Sequence, residues 1–145
     1  MSQARVCAFC AIASGELDAH VVVDSEDFVA FLDRRPLFAG HTLLVPRAHH
    51  VTLPELPPVL VGPLFRHAQR LAAAMLEGLG AAGSFIALNN TISQSVPHLH
   101  VHIVPRNPKD GLRGFFWPRT TYEDAAQASA TAAQIRAALD SIPDG

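Results

Sequence analysis

The chain has 145 residues, 49% of them hydrophobic and 17% charged, with 11 Pro and 9 Gly, which fits a single domain spanning 1–145 with a buried core and argues against two. Eleven Lys+Arg against 13 Asp+Glu give a formal charge of −2, so there is no polycationic surface for a nucleic-acid backbone or an anionic membrane, and any phosphate site must be local. The opening Met1-Ser2-Gln3-Ala4-Arg5 lacks the pattern of a secretory signal, and the most apolar window, Leu71 to Leu88, is broken by Gly78, Gly80 and Gly83; the expectation is a cytoplasmic protein without a spanning helix.

Two cysteines, Cys7 and Cys10, stand as C-x-x-C, which in a reducing compartment reads as half of a metal site or a redox pair before a structural disulfide. From His20 to Asp33, Val21-Val22-Val23 and Phe28-Val29-Ala30-Phe31-Leu32 flank the polar turn Asp24-Ser25-Glu26-Asp27, a hairpin pattern. Thr42 to Val45 reads as a third strand stopped by Pro46. Leu60, Leu64, Leu71, Met75 and Leu79 recur near helical spacing, predicting an amphipathic helix over about residues 61 to 78 with Pro63 in its first turn. Phe85 to Leu88 and Leu99 to Val104 read as fourth and fifth strands, the fifth ending at Pro105. Thr120-Thr121-Tyr122-Glu123 has capping-box spacing and opens an alanine-rich helix toward Leu139. Few helices among many strands, without regular β-α-β alternation, favour an α+β fold with a mainly antiparallel sheet.

The chemically informative stretch is Val96-Pro97-His98-Leu99-His100-Val101-His102-Ile103-Val104. Strand alternation puts His98, His100 and His102 on one face and Leu99, Val101 and Ile103 on the other, with successive imidazoles about 6.6 Å apart along the strand. A neutral imidazole is a competent nucleophile near neutral pH, and one bearing an N–H donates to phosphate oxygens. The same row suits a three-histidine zinc site that activates water, or a merely polar sheet face.

The segment resembles the signature of the histidine triad (HIT) superfamily, matched at His98-Leu99-His100-Val101-His102-Ile103-Val104 and extended by Gln94-Ser95-Val96-Pro97, by Gly40-His41-Thr42-Leu43-Leu44-Val45-Pro46-Arg47-Ala48-His49 and by Cys7-Ala8-Phe9-Cys10. These cover about residues 7 to 106 in the family's order, and the C-x-x-C opening and short chain resemble its bacterial Hint-like branch. The resemblance implies a five-stranded antiparallel sheet with helices, a homodimer, and a nucleotide hydrolase or transferase acting at an α-phosphate. His100 would attack the phosphorus of a purine nucleotide or nucleoside phosphoramidate, His102 would donate to the non-bridging oxygens, and Ser95 and Gln94 would add donors to the same phosphate. Asn89 would help close that loop, and Asp33 would hold the ribose hydroxyls. Phe9, Ile12, Phe31 and Leu32 would wall the base. His41 would position its neighbours. The resemblance further implies a structural Zn²⁺ held by Cys7, Cys10, His49 and His98, in which case His98 orients His100 and carries no proton for the leaving group. No organic cofactor is expected.

The loop between Asn89 and His98 departs from the family pattern: it is shorter by about two residues and carries Ser93 where glycine is common. Residues 107–145 are expected to form a carboxyl-terminal loop and helix. Arginines and aromatics crowd Arg113 to Arg119, including Phe115, Phe116 and Trp117, and read either as a flap over the site or as packing for the last helix. Two other functional classes compete with the transferase: a nucleotide-binding or interaction module without turnover, and a zinc hydrolase using all three histidines as ligands.

Overall fold

Alternation along the strands divides the sheet into two apolar faces, and each face meets its own helix. The computed structural model describes residues 7–112 and 119–144. In chain order its elements are α1 (Ala8–Ser14), β1 (Val21–Asp24), β2 (Phe28–Leu32), β3 (Thr42–Pro46), a 3-10 turn over Leu53–Glu55, α2 (Pro58–Leu79), β4 (Gly83–Ala87), β5 (Val101–Arg106) and α3 (Ala125–Asp140). The strands form one sheet in the order β1-β2-β3-β5-β4, each neighbouring pair antiparallel, so the expected α+β architecture holds. The chain divides into one unit ending at Asp110 and another beginning at Gly111; the expected core of 7–106 lies in the first and α3 in the second.

On one face Phe28 and Ala30 of β2, Leu44 of β3, and Leu99, Val101 and Ile103 pack with Leu64, Ala68, Leu71 and Met75 of α2. Those helix positions are four, three and four residues apart, which keeps them on one stripe. On the other face Val29, Phe31, Leu43 and Val45 pack with Phe9 and Ile12 of α1. His98, His100 and His102 are out of phase with Leu99, Val101 and Ile103, so they emerge on the α1 face. The sequence reading contained no α1; its seven residues are short, and it closes with Gly15 in the left-handed conformation at φ 82°.

Several boundaries move. Pro58 occupies the first turn of α2, with Pro57 as its N-cap, and Pro63 falls inside the helix. It therefore cannot supply the N–H that the Val59 carbonyl would take, at a cost of about 3 kcal/mol for an interior proline. Burying Leu64, Leu71 and Met75 recovers about 1.5–3 kcal/mol each, so packing outweighs the break. The third strand stops at Pro46 as expected but includes it as its last residue, opposite Phe28, whereas Pro105 ends no strand: it lies within β5 opposite Ser84. The α3 cap is Asp124, whose carboxylate accepts the Gln127 N–H at 2.7 Å while the Gln127 side chain accepts the Glu123 N–H at 2.6 Å. The cap thus sits four residues beyond the expected Thr120. Gly40 leads into β3 at φ 102°, a conformation that residues with a side chain rarely adopt, which explains glycine there.

Candidate functional site

Four donor atoms meet where α1 begins and β3 ends. His98 is fully buried, and its Nε2–H donates to the Pro46 carbonyl at 2.8 Å. That bond leaves Nδ1 bare, 3.4 Å from Cys7 Sγ, 3.5 Å from Cys10 Sγ and 3.2 Å from His49 Nδ1; Cys10 Sγ and His49 Nδ1 are 3.2 Å apart. A tetrahedral zinc with ordinary Zn–S and Zn–N bonds requires N···N edges of about 3.3 Å and N···S edges of about 3.6 Å. The residues fit the metal in number, chemistry and spacing. Burial and the adjacent Cys7 push the Cys10 thiol up from its ordinary pKa, a cost that a dication between the two sulfurs would offset.

Two residues further along, the histidine environment changes. His100, also buried, directs Nδ1 at the His98 carbonyl, 2.8 Å away. A carbonyl only accepts, so Nδ1 carries a proton, and in the neutral ring the lone pair is on Nε2. The edge of Phe9 packs against this ring with centroids 5.1 Å apart, and against His98 at 5.9 Å.

His102 receives its orientation from His41. The Leu37 N–H donates to His41 Nδ1 at 3.1 Å, so His41 carries its proton on Nε2, which donates to His102 Nδ1 at 2.9 Å. His102 must then present Nε2–H as a donor. Burial, with the neighbouring His100 and His41, lowers the His102 pKa to about 4; burial likewise lowers that of His41. Both are neutral at pH 7, so the donor works by its N–H dipole and not by a full charge. The Asp33 carboxylate lies 3.7 Å from His41 Nε2 and accepts the Arg35 N–H at 2.9 Å.

His100 and His102 open into a cavity of about 650 Å³ whose wall includes Phe9, Ile12, Phe31, Asp33 and Ser95, a volume in the range of small-molecule sites. Of the expected binding residues, Leu32 instead lines an adjoining hollow. Gln94 and Asn89 are engaged within the loop: the Gln94 amide donates to the Val51 carbonyl at 2.6 Å and accepts the Thr91 N–H at 3.0 Å, and Asn89 Nδ2 donates to the Ser93 carbonyl at 3.2 Å. They shape the loop that carries Ser95. Ser93 and Thr91 hold φ of 61° and 69°, left-handed backbone that glycine adopts without strain and a β-branched residue resists. The loop's departure from the family pattern thus falls where the backbone is most demanding.

The triad does not converge as a ligand set: among the described residues, His98 groups with Cys7, Cys10 and His49, while His102 groups with Asp33 and His41. Arg34, Arg35 and Leu17 also line the cavity and were missed; the only sequence signal was the continuity of Arg34-Arg35 with Asp33. The candidate flap residues Arg113, Phe115, Phe116 and Trp117 lie outside the described residues.

Comparison with known proteins gives the family and the fold. Residues 14–109 match the model of the HIT domain. A HIT-like protein of Methanocaldococcus jannaschii is 38% identical over 108 residues, 73% of this chain and 83% of its own length. An adenosine 5′-monophosphoramidase of Saccharomyces cerevisiae is 32% identical over 110 residues, 73% of this chain and 66% of its own. The crystal structure of a zinc-bound histidine triad protein from Mycobacterium smegmatis superposes with a TM-score of 0.71 at 39% identity, covering 92% of this chain and 97% of that one.

Proposed function

The chain belongs to the HIT family, and from that premise we propose that it hydrolyses or transfers a nucleotidyl group through a covalent bond to His100 Nε2. The observation that carries this reading is the His100 Nδ1–H bond to the His98 carbonyl, which in the neutral ring leaves the lone pair on Nε2, at a cavity of nucleotide size. His100 Nε2 attacks the α-phosphorus of a nucleoside phosphoramidate or nucleotide polyphosphate. The bond from phosphorus to the leaving amine or phosphate breaks, and the departing group takes its proton from water or from its own ammonium. Water then breaks the N–P bond, returning free His100 and a nucleoside monophosphate. His102 Nε2–H and the Ser95 hydroxyl donate to the non-bridging oxygens, where preorganised donors contribute most. Asp33 holds the ribose hydroxyls, Phe9, Ile12 and Phe31 take the base, and Gln94 and Asn89 keep the loop in shape.

Cys7, Cys10, His49 and His98 hold a zinc ion, a closed set of two thiolates and two imidazoles that supplies structural cross-linking. His98 passes that rigidity to His100 through its backbone carbonyl. The protein acts as a homodimer, a reading supported by the edge position of β4 and the exposed Ile86 on it, and light scattering reads its mass directly. None of the described helices is long and apolar enough to cross a membrane.

The test is chemical. Wild-type protein incubated with labelled adenosine 5′-phosphoramidate and quenched in alkali should retain label on the peptide containing His100, and His100→Ala should retain none. Nucleotide binding with neither turnover nor trapped label would favour the non-catalytic module instead.

A further inference from the structure

Arg34 and Arg35 bring the two arginine charges of the cavity wall to one side of it. Among the described residues neither has a carboxylate within ion-pair distance, whereas Arg47 and Arg106 are paired with Asp24 and Asp110. Because His102 is neutral at pH 7, these guanidiniums are the strong anion-binding groups of the cavity, and the proposed attack by His100 does not use them. Their place is specific. Arg34 follows Asp33 directly, and the Arg35 N–H fixes the Asp33 carboxylate at 2.9 Å. Arg34 also lines the adjoining hollow of about 460 Å³, together with Leu17, Asp18, His20, Leu32 and Asp33. None of His100, His102 and Ser95 borders that hollow, so Arg34 marks the side of the site away from the reacting phosphorus. Asp18 and Asp33 also line that hollow, so an anion is favoured only where it meets the guanidiniums directly.

We propose that Arg34 and Arg35 bind a second phosphate on the ribose, so that the preferred substrates are nucleotides bearing a 2′- or 3′-phosphate monoester in addition to the 5′-phosphorus. This rests on the reading of Asp33 as the ribose-binding residue and His100 as the nucleophile. Guanidinium is suited to the task because its planar fork meets phosphate oxygens in pairs, and a ribose phosphate beside Asp33 comes within reach of both arginines while the 5′-phosphorus stays at His100.

Calorimetric titration of the intact protein with AMP, ADP, adenosine 2′,5′-bisphosphate and adenosine 3′,5′-bisphosphate tests the assignment and tells the two ribose positions apart. One bisphosphate should bind about tenfold or more tighter than AMP, as expected for one added charge-assisted contact, and the ratio should shrink as salt is raised. In Arg34→Met and in the double variant Arg34→Met/Arg35→Met the ratio should fall toward one. Equal affinity of wild-type protein for AMP and both bisphosphates would overturn the proposal while leaving the His100 reading standing. So would a gain for ADP that matches the bisphosphates, which would put the arginines on the leaving-group side, and so would a ratio that survives the double substitution. Absence of binding by all four nucleotides would overturn both readings.

Discussion

His98 and His102 are four residues apart on one face of one segment, yet they meet opposite surroundings. Around His98 every nearby ligand atom is a thiol or imidazole lone pair, and the ring's only proton is committed to the Pro46 carbonyl. Around His102 the neighbour is a donor, the His41 Nε2–H, so the far nitrogen carries the proton into the cavity. His100 lies between, its proton tied back to the chain. Three identical side chains are prepared for the three proposed roles, ligand, nucleophile and donor, because the nitrogens of each ring meet different partners. α1 links the two regions: it carries Cys10 toward the sulfur cluster and Phe9 and Ile12 into the cavity wall.

The sharpest way to separate the regions is His100→Ala. It should lower kcat/KM for an adenosine phosphoramidate by at least about 10³-fold, while zinc content measured by atomic absorption stays near that of wild type; a parallel loss of metal would mean that the regions are one site. Cys10→Ala attacks the other end. Zinc content should fall, the thermal midpoint should drop by about 5–10 °C, and KM should rise more than kcat falls, since α1 holds the pocket wall. Loss of kcat with the melting temperature intact would overturn the structural role of the metal. His41→Ala removes the donor that fixes the His102 tautomer, and steady-state kinetics should show kcat down about tenfold with KM little changed, the scale of one hydrogen bond.

Acid should produce the mildest effect. Unfolded histidine titrates near pH 6.5, whereas burial holds His102 at about 4, so the folded state favours the neutral ring. The corresponding stability is complete above about pH 6.5 and is lost as the pH falls toward about 4, because the unfolded chain binds the proton first. Melting curves between pH 7.5 and 4 should show this decline, and His102→Gln should show a shallower one. Equal slopes in the two proteins would remove His102 from the acid response.

Much of the sheet was legible in the sequence because the β-rich apolar runs Phe28 to Leu32 and Thr42 to Val45, bounded by turn residues and proline, and the alternation of histidine with apolar residues from His98 to Ile103 are local properties of the chain. The stripe of α2 was legible for the same reason, though Pro57-Pro58 supplied its start and packing carried Pro63 inside. α1 was not: seven residues span two turns, too few for periodicity to declare itself, and its apolar residues find partners only on the far face of the sheet. The resemblance gave Gln94 as a phosphate donor, while in the folded loop its side-chain amide bonds the backbone groups of Val51 and Thr91, which no local pattern in the sequence indicates.

The chain by itself determined the residue types, their alternation and the side of the strand on which three histidines stand, since these follow from covalent spacing and backbone geometry alone. Only the tertiary structure decided which nitrogen of His98 and of His102 holds its proton, because that depends on a carbonyl from β3 and an imidazole beside the Gly40 turn, both distant in sequence, whereas His100 bonds a carbonyl two residues away. It also decided that Arg34 and Arg35 border a cavity, which no local pattern encodes, because a cavity exists only once separate elements have closed around it.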